Sequence, residues 1–276
     1  MTEIKKTLDF TCPICGGGLT VSGASAVCGE GHSYDRSRYG YYNLLLSNTG
    51  GVHGDNREMV LARRAFLGGG FYEPLARLVA SLTLEYTAPC GAVLDAGCGE
   101  GYYTDAVERA LFSRDNSTRV MAFDISKDAS REVARKNPRI SVAVAGSYRM
   151  PLANGYVDTL INTFSPLAVS EVSRVLRQGG VFIMAIPETD HLYELKAAIY
   201  DTPYKNKVED PSLDGFELLD DRRLSYTMHL SGKEIHSLFM MTPYAYRTSR
   251  KGAERVERLS KLDCTADFHI FVYRKN

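Results

Sequence analysis

Three cysteines and one histidine near the N-terminus have the spacing of a metal site. Two residues separate Cys12 from Cys15, twelve separate Cys15 from Cys28, and three separate Cys28 from His32. Thiolates and imidazoles are ligands that Zn²⁺ prefers, and four of them complete the tetrahedron of a structural site. The sequence therefore predicts a structural zinc knuckle within residues 1–45. A redox Cys-x-x-Cys fits less well, because no strand–helix pattern surrounds the pair.

A second chemical pattern is a glycine-rich turn that follows a short apolar run. The run Ala92–Ala96 leads into Gly97, Gly99 and Gly101, and an amphipathic stretch comes next. Glycines at such a turn let the backbone bend sharply and approach a ligand closely. The spacing is not that of a dinucleotide-binding fingerprint, because Tyr102 stands where the third glycine would be. This argues against a nicotinamide-dependent oxidoreductase.

Acidic and aromatic residues around the turn indicate which ligand it binds. Asp95 comes two residues before the first glycine, where a carboxylate favours a cationic ligand over a phosphate. Asp124 ends the next apolar run, where it can accept hydrogen bonds from both hydroxyls of a ribose. Tyr72, Tyr102 and Tyr103 are candidates to face a cation or an adenine ring. The alternative that these tyrosines are ordinary core residues stays open.

The elements that must position these residues are read from an alternation of short apolar runs and amphipathic stretches. The predicted strands are Ala92–Ala96, Arg119–Phe123, Ile140–Val144, Val157–Thr163 and Val181–Ile186. The predicted helices between them are Tyr103–Phe112, Ser126–Lys136 and Leu167–Leu176. This order predicts an α/β fold, a parallel sheet with right-handed helical crossovers. Two later runs, Leu224–Leu230 and Phe268–Arg274, predict an antiparallel pair at one edge.

The chain has 276 residues and divides into three predicted units. Residues 1–45 form the zinc knuckle, residues 46–85 a linker and two N-terminal helices, and residues 86–276 the large sheet domain. Gly50, Gly51 and Gly54 mark the linker. No apolar run reaches 18 residues and no signal peptide precedes the knuckle, so we expect a cytoplasmic protein that does not cross a membrane.

The charge balance does not exclude nucleic acid as a partner. The sequence has 33 basic and 33 acidic residues, but residues 222–276 carry 11 against 5 and residues 152–221 carry 5 against 12. A zero sum therefore conceals a basic C-terminal segment. Its basic residues have roughly helical spacing, which also fits a solvated helix face. They are Arg247, Arg250, Lys251, Arg255, Arg258 and Lys261.

Asp95, the three glycines and Asp124 together resemble the class I methyltransferases that use S-adenosylmethionine. The resemblance implies a Rossmann-like sheet of seven strands over residues 86–276, with these residues in the cofactor site. Many members of that class place an acid near the adenine at the end of a neighbouring strand. Here Gly146 and Ser147 stand there, and Ser147 is the candidate hydrogen-bond partner.

The whole chain resembles the bacterial large-subunit ribosomal RNA guanine-N1-methyltransferases, which include macrolide-resistance enzymes. The stretches that carry the resemblance are Cys12–Cys15, His32–Asp35, Gly40–Leu45, Gly54–Asn56, Ala62–Leu67, Gly70–Leu75, Asp95–Thr104 and His191–Lys196. It implies that S-adenosylmethionine contacts Tyr72, Gly101, Tyr102 and His191. It also implies methylation of a guanine in a 23S RNA hairpin, at position 748 in preference to 745. A homodimer is compatible with the resemblance.

The implied reaction is attack by guanine N1 on the methyl group of the sulfonium. The base must leave its stack to reach a pocket, and N1 must lose a proton. Phe164 is the candidate to stack on the guanine, Asn162 to read its edge, and His191 to act as general base. A core role for Phe164 stays open.

Two other functions are compatible with the sequence. The chain could methylate a small molecule and use the zinc knuckle only as a structural element, or it could be a catalytically silent RNA-binding relative. We expect RNA to lie between the zinc module and the catalytic domain, beside Arg36, Arg38, Arg63 and Arg64, and to bind in a salt-sensitive way.

Overall fold

The computed structural model describes residues 8–46, 54–208 and 211–276. Gly50 and Gly51 of the predicted linker lie outside the described residues. The strands are β1 (Thr20–Ser22), β2 (Ser25–Val27), β3 (Ser33–Asp35), β4 (Tyr42–Asn43), β5 (Ala92–Ala96), β6 (Arg119–Asp124), β7 (Ser141–Val144), β8 (Val157–Thr163), β9 (Leu176–Pro187), β10 (Phe216–Ser231) and β11 (Lys261–Lys275). The helices are α1 (Arg57–Gly68), α2 (Glu73–Tyr86), α3 (Tyr102–Arg114), α4 (Lys127–Lys136), α5 (Val169–Val175), α6 (Tyr193–Ile199), α7 (Gly232–Met241) and α8 (Arg250–Glu257).

The large sheet has the order β10-β11-β9-β8-β5-β6-β7-β4. Strands β9, β8, β5, β6 and β7 are parallel neighbours, whereas β11 and β10 are antiparallel. This confirms the class I fold and the predicted antiparallel edge pair. Every residue of β5 is buried, because helices cover both faces of a parallel sheet.

The sheet has eight strands where seven were expected. The additional strand is β4, in which Tyr42 and Asn43 pair in parallel with Ala143 and Val144 of β7. A two-residue strand has too little hydrophobic pattern to be recognised in a sequence. Its pairing places the end of the N-terminal segment directly on the sheet edge.

The N-terminal residues pack onto the large domain instead of standing apart from it. Strands β1 to β3 form a small antiparallel sheet. Phe10 and Leu44 are almost fully buried in the same apolar cluster as Leu94 and Phe123 of the central strands. The amide of Thr11 also donates a hydrogen bond of 2.8 Å to the carbonyl of Pro151. The division at residue 45 stays a prediction.

Helix starts follow local sequence signals. The side chains of Asn56 and Ser126 accept hydrogen bonds from the third residue of α1 and α4, and α7 begins with a capping box at Ser231 and Glu234. Among the described helices, none is both long and apolar enough to span a membrane.

Candidate active site and metal centre

The glycine turn connects β5 to α3 and is shaped by its three glycines. Gly97, Gly99 and Gly101 all have positive φ, at 81°, 55° and 80°. A Cβ on Gly97 would lie 2.0 Å from Oγ of Ser165, and a Cβ on Gly101 would lie 2.9 Å from a methyl of Val133. Larger residues would therefore strain the backbone and clash. The turn brings the strand end, the loop after β8 and α4 into close contact.

A cavity of about 990 Å³ opens beside this turn, at the carboxyl ends of the parallel strands. The sheet order reverses between β5 and β8, and open α/β sheets bind ligands at such a switch point. Most predicted site residues line the cavity, namely Tyr72, Asp95, Gly97, Gly99, Tyr102, Asp124, Ser147, Phe164 and His191. Gly101 and Asn162 are not among its lining residues: Gly101 packs on α4, and Asn162 is buried with its amide 3.5 Å from the carbonyl of Pro166.

The two predicted carboxylates lie in the cavity wall. Asp95 is 1% exposed; its Oδ2 accepts a 2.6 Å hydrogen bond from Thr104, while no described residue donates to its Oδ1. Burial raises the pKa of Asp95 to about 7. Asp124 accepts bonds from the amides of Gly99 at 2.9 Å and Ser126 at 2.8 Å. Burial raises the pKa of Asp124 in spite of these bonds.

Aromatic rings form another part of the cavity wall. Phe164 lies within 5.6 to 6.5 Å of the rings of Tyr72, Tyr103, His191 and Phe268. Its backbone is left-handed, with φ of 59°, and its side chain is 41% exposed. A phenylalanine held in a strained conformation and open to a cavity is available to a planar ligand. Tyr72 and Tyr103, by contrast, line the cavity and also belong to the buried core.

His191 is positioned by hydrogen bonds on both ring nitrogens. Its Nδ1 accepts from the amide of Asp267 at 3.3 Å, so the neutral ring carries its proton on Nε2 and donates to the Tyr72 hydroxyl at 3.3 Å. Burial, with a smaller effect of Lys196, lowers the pKa of His191 to about 3. A pKa of about 3 is far from the value at which a general base works best near neutral pH, so this finding disfavours the base role of His191, which stays a prediction. The hydrogen bond between His191 and the Tyr72 hydroxyl joins these two residues of the cavity wall.

The four predicted metal ligands converge. One ligand atom from each of Cys12, Cys15, Cys28 and His32 lies within 4.8 Å of the others. Sγ of Cys15 is 3.6 Å from Sγ of Cys28, and Nδ1 of His32 is 3.6 Å and 3.3 Å from Sγ of Cys12 and Cys28. Ordinary Zn–S and Zn–N bonds in a tetrahedron give separations of about 3.8 Å and about 3.6 Å. The residues present therefore fit a four-coordinate zinc ion.

The hydroxyl of Tyr34 and the amide of His32 support these ligands. The Tyr34 oxygen is 3.0 Å from Sγ of Cys12, and the His32 amide donates to Sγ of Cys28 at 3.3 Å. Donors to sulfur offset the negative charge that thiolates bring to a zinc site. With all four positions filled by protein, the site has a structural and not a catalytic geometry.

Two family profiles match the chain. The profile described as "Methyltransferase domain" matches residues 93–180, and the profile of the zinc ribbon described as "RlmA, N-terminal" matches residues 10–48. A 23S rRNA (guanine(748)-N(1))-methyltransferase of Streptomyces fradiae is 32% identical over 85% of each chain. A Bacillus subtilis protein, named provisionally for the guanine-N(1) activity on 23S rRNA, is 30% identical over 99% of this chain and all of its own length. The chain belongs to the 23S rRNA (guanine-N1)-methyltransferase family.

The family assignment agrees with the two ligand sites described above. This guanine-N1-methyltransferase uses S-adenosylmethionine as methyl donor and holds a structural zinc ion. The buried Oδ1 of Asp95, which lacks a described donor, and the glycine turn that admits no side chain both fit a cationic nucleoside ligand.

Some functional features of this methyltransferase were not recognised in its sequence. Arg38, Arg131 and Arg135 all lie within 6.0 Å of the ring centre of Tyr39, so they form one basic-aromatic cluster that joins the zinc module to α4. The sequence had indicated Arg38 beside Tyr39 as part of a basic-aromatic surface, but it had not indicated Arg131 or Arg135 of α4. The expected basic face at the C-terminus is interrupted, because α8 covers only Arg250–Glu257 and Arg255 bonds Asp201.

Proposed function

We propose that this protein transfers a methyl group from S-adenosylmethionine to N1 of one guanine in a 23S ribosomal RNA hairpin. The observation that carries the proposal is that the cofactor turn and the exposed ring of Phe164 line one cavity. Such a cavity accommodates a methyl donor and a flipped base side by side. Family membership supports the same reaction.

In this proposal the residues that would hold the cofactor belong to the glycine turn and to the loop after β7, which line one cavity. When bound, S-adenosylmethionine supplies a methyl group on a positively charged sulfur, which is an activated leaving group. Asp95, Asp124 and Ser147 all line the cavity, where Asp95 would hold the cationic part of the cofactor, Asp124 would accept hydrogen bonds from its ribose hydroxyls, and Ser147 would contact its adenine. Tyr72, Tyr102, Gly97 and Gly99 complete the contacts, while Gly101 acts through packing.

The guanine enters from the side of Phe164 and stacks on its exposed ring. His191 and Tyr72 hold the aromatic wall against which it rests. Asn162 acts from behind the loop, where its amide reaches the carbonyl of Pro166 and not the cavity. These residues position the base, which is the main requirement when the leaving group is already activated.

The zinc module and the basic residues beside it bind the RNA backbone. The cluster of Arg38, Arg131 and Arg135 around Tyr39 spans the junction between zinc module and α4, where phosphates can be neutralised. We keep the division into residues 1–45, 46–85 and 86–276 as a functional one: RNA recognition, connection and catalysis. A cytoplasmic location and the option of a homodimer also remain part of the proposal.

Position 748 is the proposed target, with 745 as the alternative. The support is the Streptomyces fradiae relative, whose name gives guanine 748. Methylation of that guanine would make a macrolide-resistance role part of the function.

The test uses the full-length zinc-loaded protein and two 23S hairpins, each with adenine in place of one candidate guanine. We expect methylation of the hairpin that retains guanine 748 and none of the other, read by mass spectrometry of RNA fragments. Methylation only at 745 would move the target, and methylation of a free metabolite without RNA would favour the small-molecule alternative. If calorimetry detects no binding of S-adenosylmethionine, the result would favour the alternative that the chain is a catalytically silent RNA-binding relative.

A further inference from the structure

The zinc module reaches the entrance of the cavity through one short loop. Pro13, which lies between the metal ligands Cys12 and Cys15, is a lining residue of the cavity that holds the cofactor turn. Ile14, the next residue, is 56% exposed. Since both flanking residues are metal ligands, the zinc ion fixes the tip of this loop.

The loop after β7 forms a second part of the cavity wall. Tyr148 and Arg149 line the same cavity, and the loop is held at its base by α5. The Met150 amide donates to Oε2 of Glu171 at 2.7 Å, and Arg174 donates to the Met150 carbonyl at 2.8 Å. These bonds preorganise the loop without occupying the side chains at its tip.

The same loop is tied to the zinc module. Its next residue, Pro151, accepts the 2.8 Å hydrogen bond from the amide of Thr11, one residue before the first metal ligand. These two parts of the cavity wall are therefore anchored to each other. We use the name entrance rim for Tyr148 and Arg149, which line the cavity, together with Ile14, which directly follows the lining residue Pro13.

The rim exposes groups that folding alone does not explain. Tyr148, at 75%, and Ile14, at 56%, are the two most exposed large apolar side chains in residues 8–46, 54–208 and 211–276. Within those ranges Arg149 forms no ion pair. Single-stranded nucleic acid binds to surfaces on which its bases can stack and its phosphates can meet cations. The rim offers an aromatic ring, an aliphatic side chain and a guanidinium beside the cavity.

We propose that the entrance rim binds the unpaired nucleotides next to the target guanine, with one base on Tyr148 and Ile14 and a phosphate at Arg149. This inference rests on the proposed function. A guanine can enter the cavity only if its neighbours leave the helical stack, and the rim gives those neighbours a surface. The zinc ion thereby contributes to substrate binding, because it fixes one side of the rim.

The test compares Tyr148→Ala, Tyr148→Phe and Arg149→Ala with Phe112→Ala, all as zinc-loaded full-length proteins. Phe112 is a matched control, since it is 47% exposed on α3 and is not a lining residue of the cavity. Loss of one base–aromatic stack should raise the KM for the RNA hairpin about 5- to 140-fold in Tyr148→Ala. Tyr148→Phe and Phe112→Ala should keep the wild-type KM for the hairpin. All four variants should keep the wild-type affinity for S-adenosylmethionine.

Arg149→Ala should lower the salt dependence of RNA binding, by about 0.7 in the slope of log K against log salt for one phosphate of a single strand. A 4-thiouridine next to the target should also crosslink to the rim on irradiation. If the wild-type protein methylates the hairpin while Tyr148→Ala and Arg149→Ala leave its KM and salt slope unchanged, the rim is not the binding surface. If the wild-type protein methylates no RNA, the proposed function fails first, and the rim inference fails with it.

Discussion

Asp95→Asn should make the ligand-free protein more stable and its cofactor affinity weaker. The carboxyl group is 1% exposed, and burial raises its pKa from 3.8 to about 7. Asparagine has the same shape and can still accept the hydrogen bond from Thr104, but it has no charge to bury. The substitution therefore separates the cost of burying the carboxylate from the packing of the side chain.

The raised pKa of Asp95 determines how the stability of the wild-type protein changes with pH. Between about pH 4 and pH 7 the folded protein holds a proton on Asp95 that the unfolded chain has lost, so the free energy of unfolding falls as pH rises through this window. The loss is complete above pH 7. A shift of about 3 pKa units corresponds to about 4 kcal/mol, which is the upper limit of the gain expected for Asp95→Asn at pH 8. Below pH 4 the two proteins should have equal stability.

The assay is urea denaturation followed by far-ultraviolet circular dichroism at pH 4 and pH 8, because the chain has no tryptophan. Asp115→Asn is a control of opposite sign. Burial opposes ionisation of Asp115, but hydrogen bonds from Ser117 and Thr118 outweigh it and hold the pKa of that carboxyl below its usual range. Its replacement should destabilise the protein at pH 8.

Calorimetry provides the second part of the test. Loss of a hydrogen bond to a charged group should weaken S-adenosylmethionine binding about 10- to 140-fold at pH 8. Wild-type affinity should also fall about tenfold from pH 8 to pH 6, because the carboxylate becomes protonated, and Asp95→Asn should lack this dependence. The reasoning is refuted if Asp95→Asn binds as tightly as wild type, or if it is no more stable at pH 8.

Three further predictions concern the metal, the turn and the aromatic wall. Chelation of zinc should abolish RNA binding but leave the far-ultraviolet circular dichroism of the large sheet unchanged, because the metal ligands belong to residues 12–32. A protein that binds RNA equally well without metal would contradict this. Gly97→Ala should cost several kcal/mol or abolish cofactor binding, because its Cβ meets Ser165 at 2.0 Å, whereas Gly16→Ala, also at positive φ but in open space, should cost only about 1 kcal/mol. In both the wild type and His191→Gln, kcat should not change with pH between 6 and 9. A wild-type inflection near pH 6.5 that His191→Gln lacks would instead identify the histidine as the general base.

Much of the fold was predictable because its signals are local. The apolar runs of β5 and β8 match the observed strands residue for residue, and Ser126 caps α4 as its type suggests. The helices α6 and α7 were not predicted, and for α8 only the helical spacing of its basic residues was recognised. They belong to a region in which long antiparallel strands alternate with short helices, so no regular spacing of elements identifies them.

The site was predictable in its residue types and not in its geometry. Glycine spacing and the positions of Asp95 and Asp124 follow from strand ends, which sequence patterns locate well. The state of His191 depends on Asp267 and Tyr72, which are 76 and 119 residues away along the chain. A pKa depends on such distant neighbours and on burial, and neither is written in the local sequence. The position of Tyr148 in the wall of the same cavity as Pro13 has the same origin.

The unfavourable features of the cavity are connected by one physical cause. Asp95 has a buried oxygen without a described donor, Phe164 has a left-handed backbone, and His191 is held neutral far below its usual pKa. The first two cost stability in the ligand-free protein at neutral pH, whereas the lowered pKa of His191 costs stability only below about pH 6.5, where the unfolded chain carries the proton; all three residues lie in the cavity wall. A bound cationic ligand would offset the cost of the buried carboxylate of Asp95, and a stacked planar base would cover the exposed ring of Phe164. Binding energy is thereby concentrated where the methyl group must meet N1, and a neutral His191 leaves that point free of a competing positive charge.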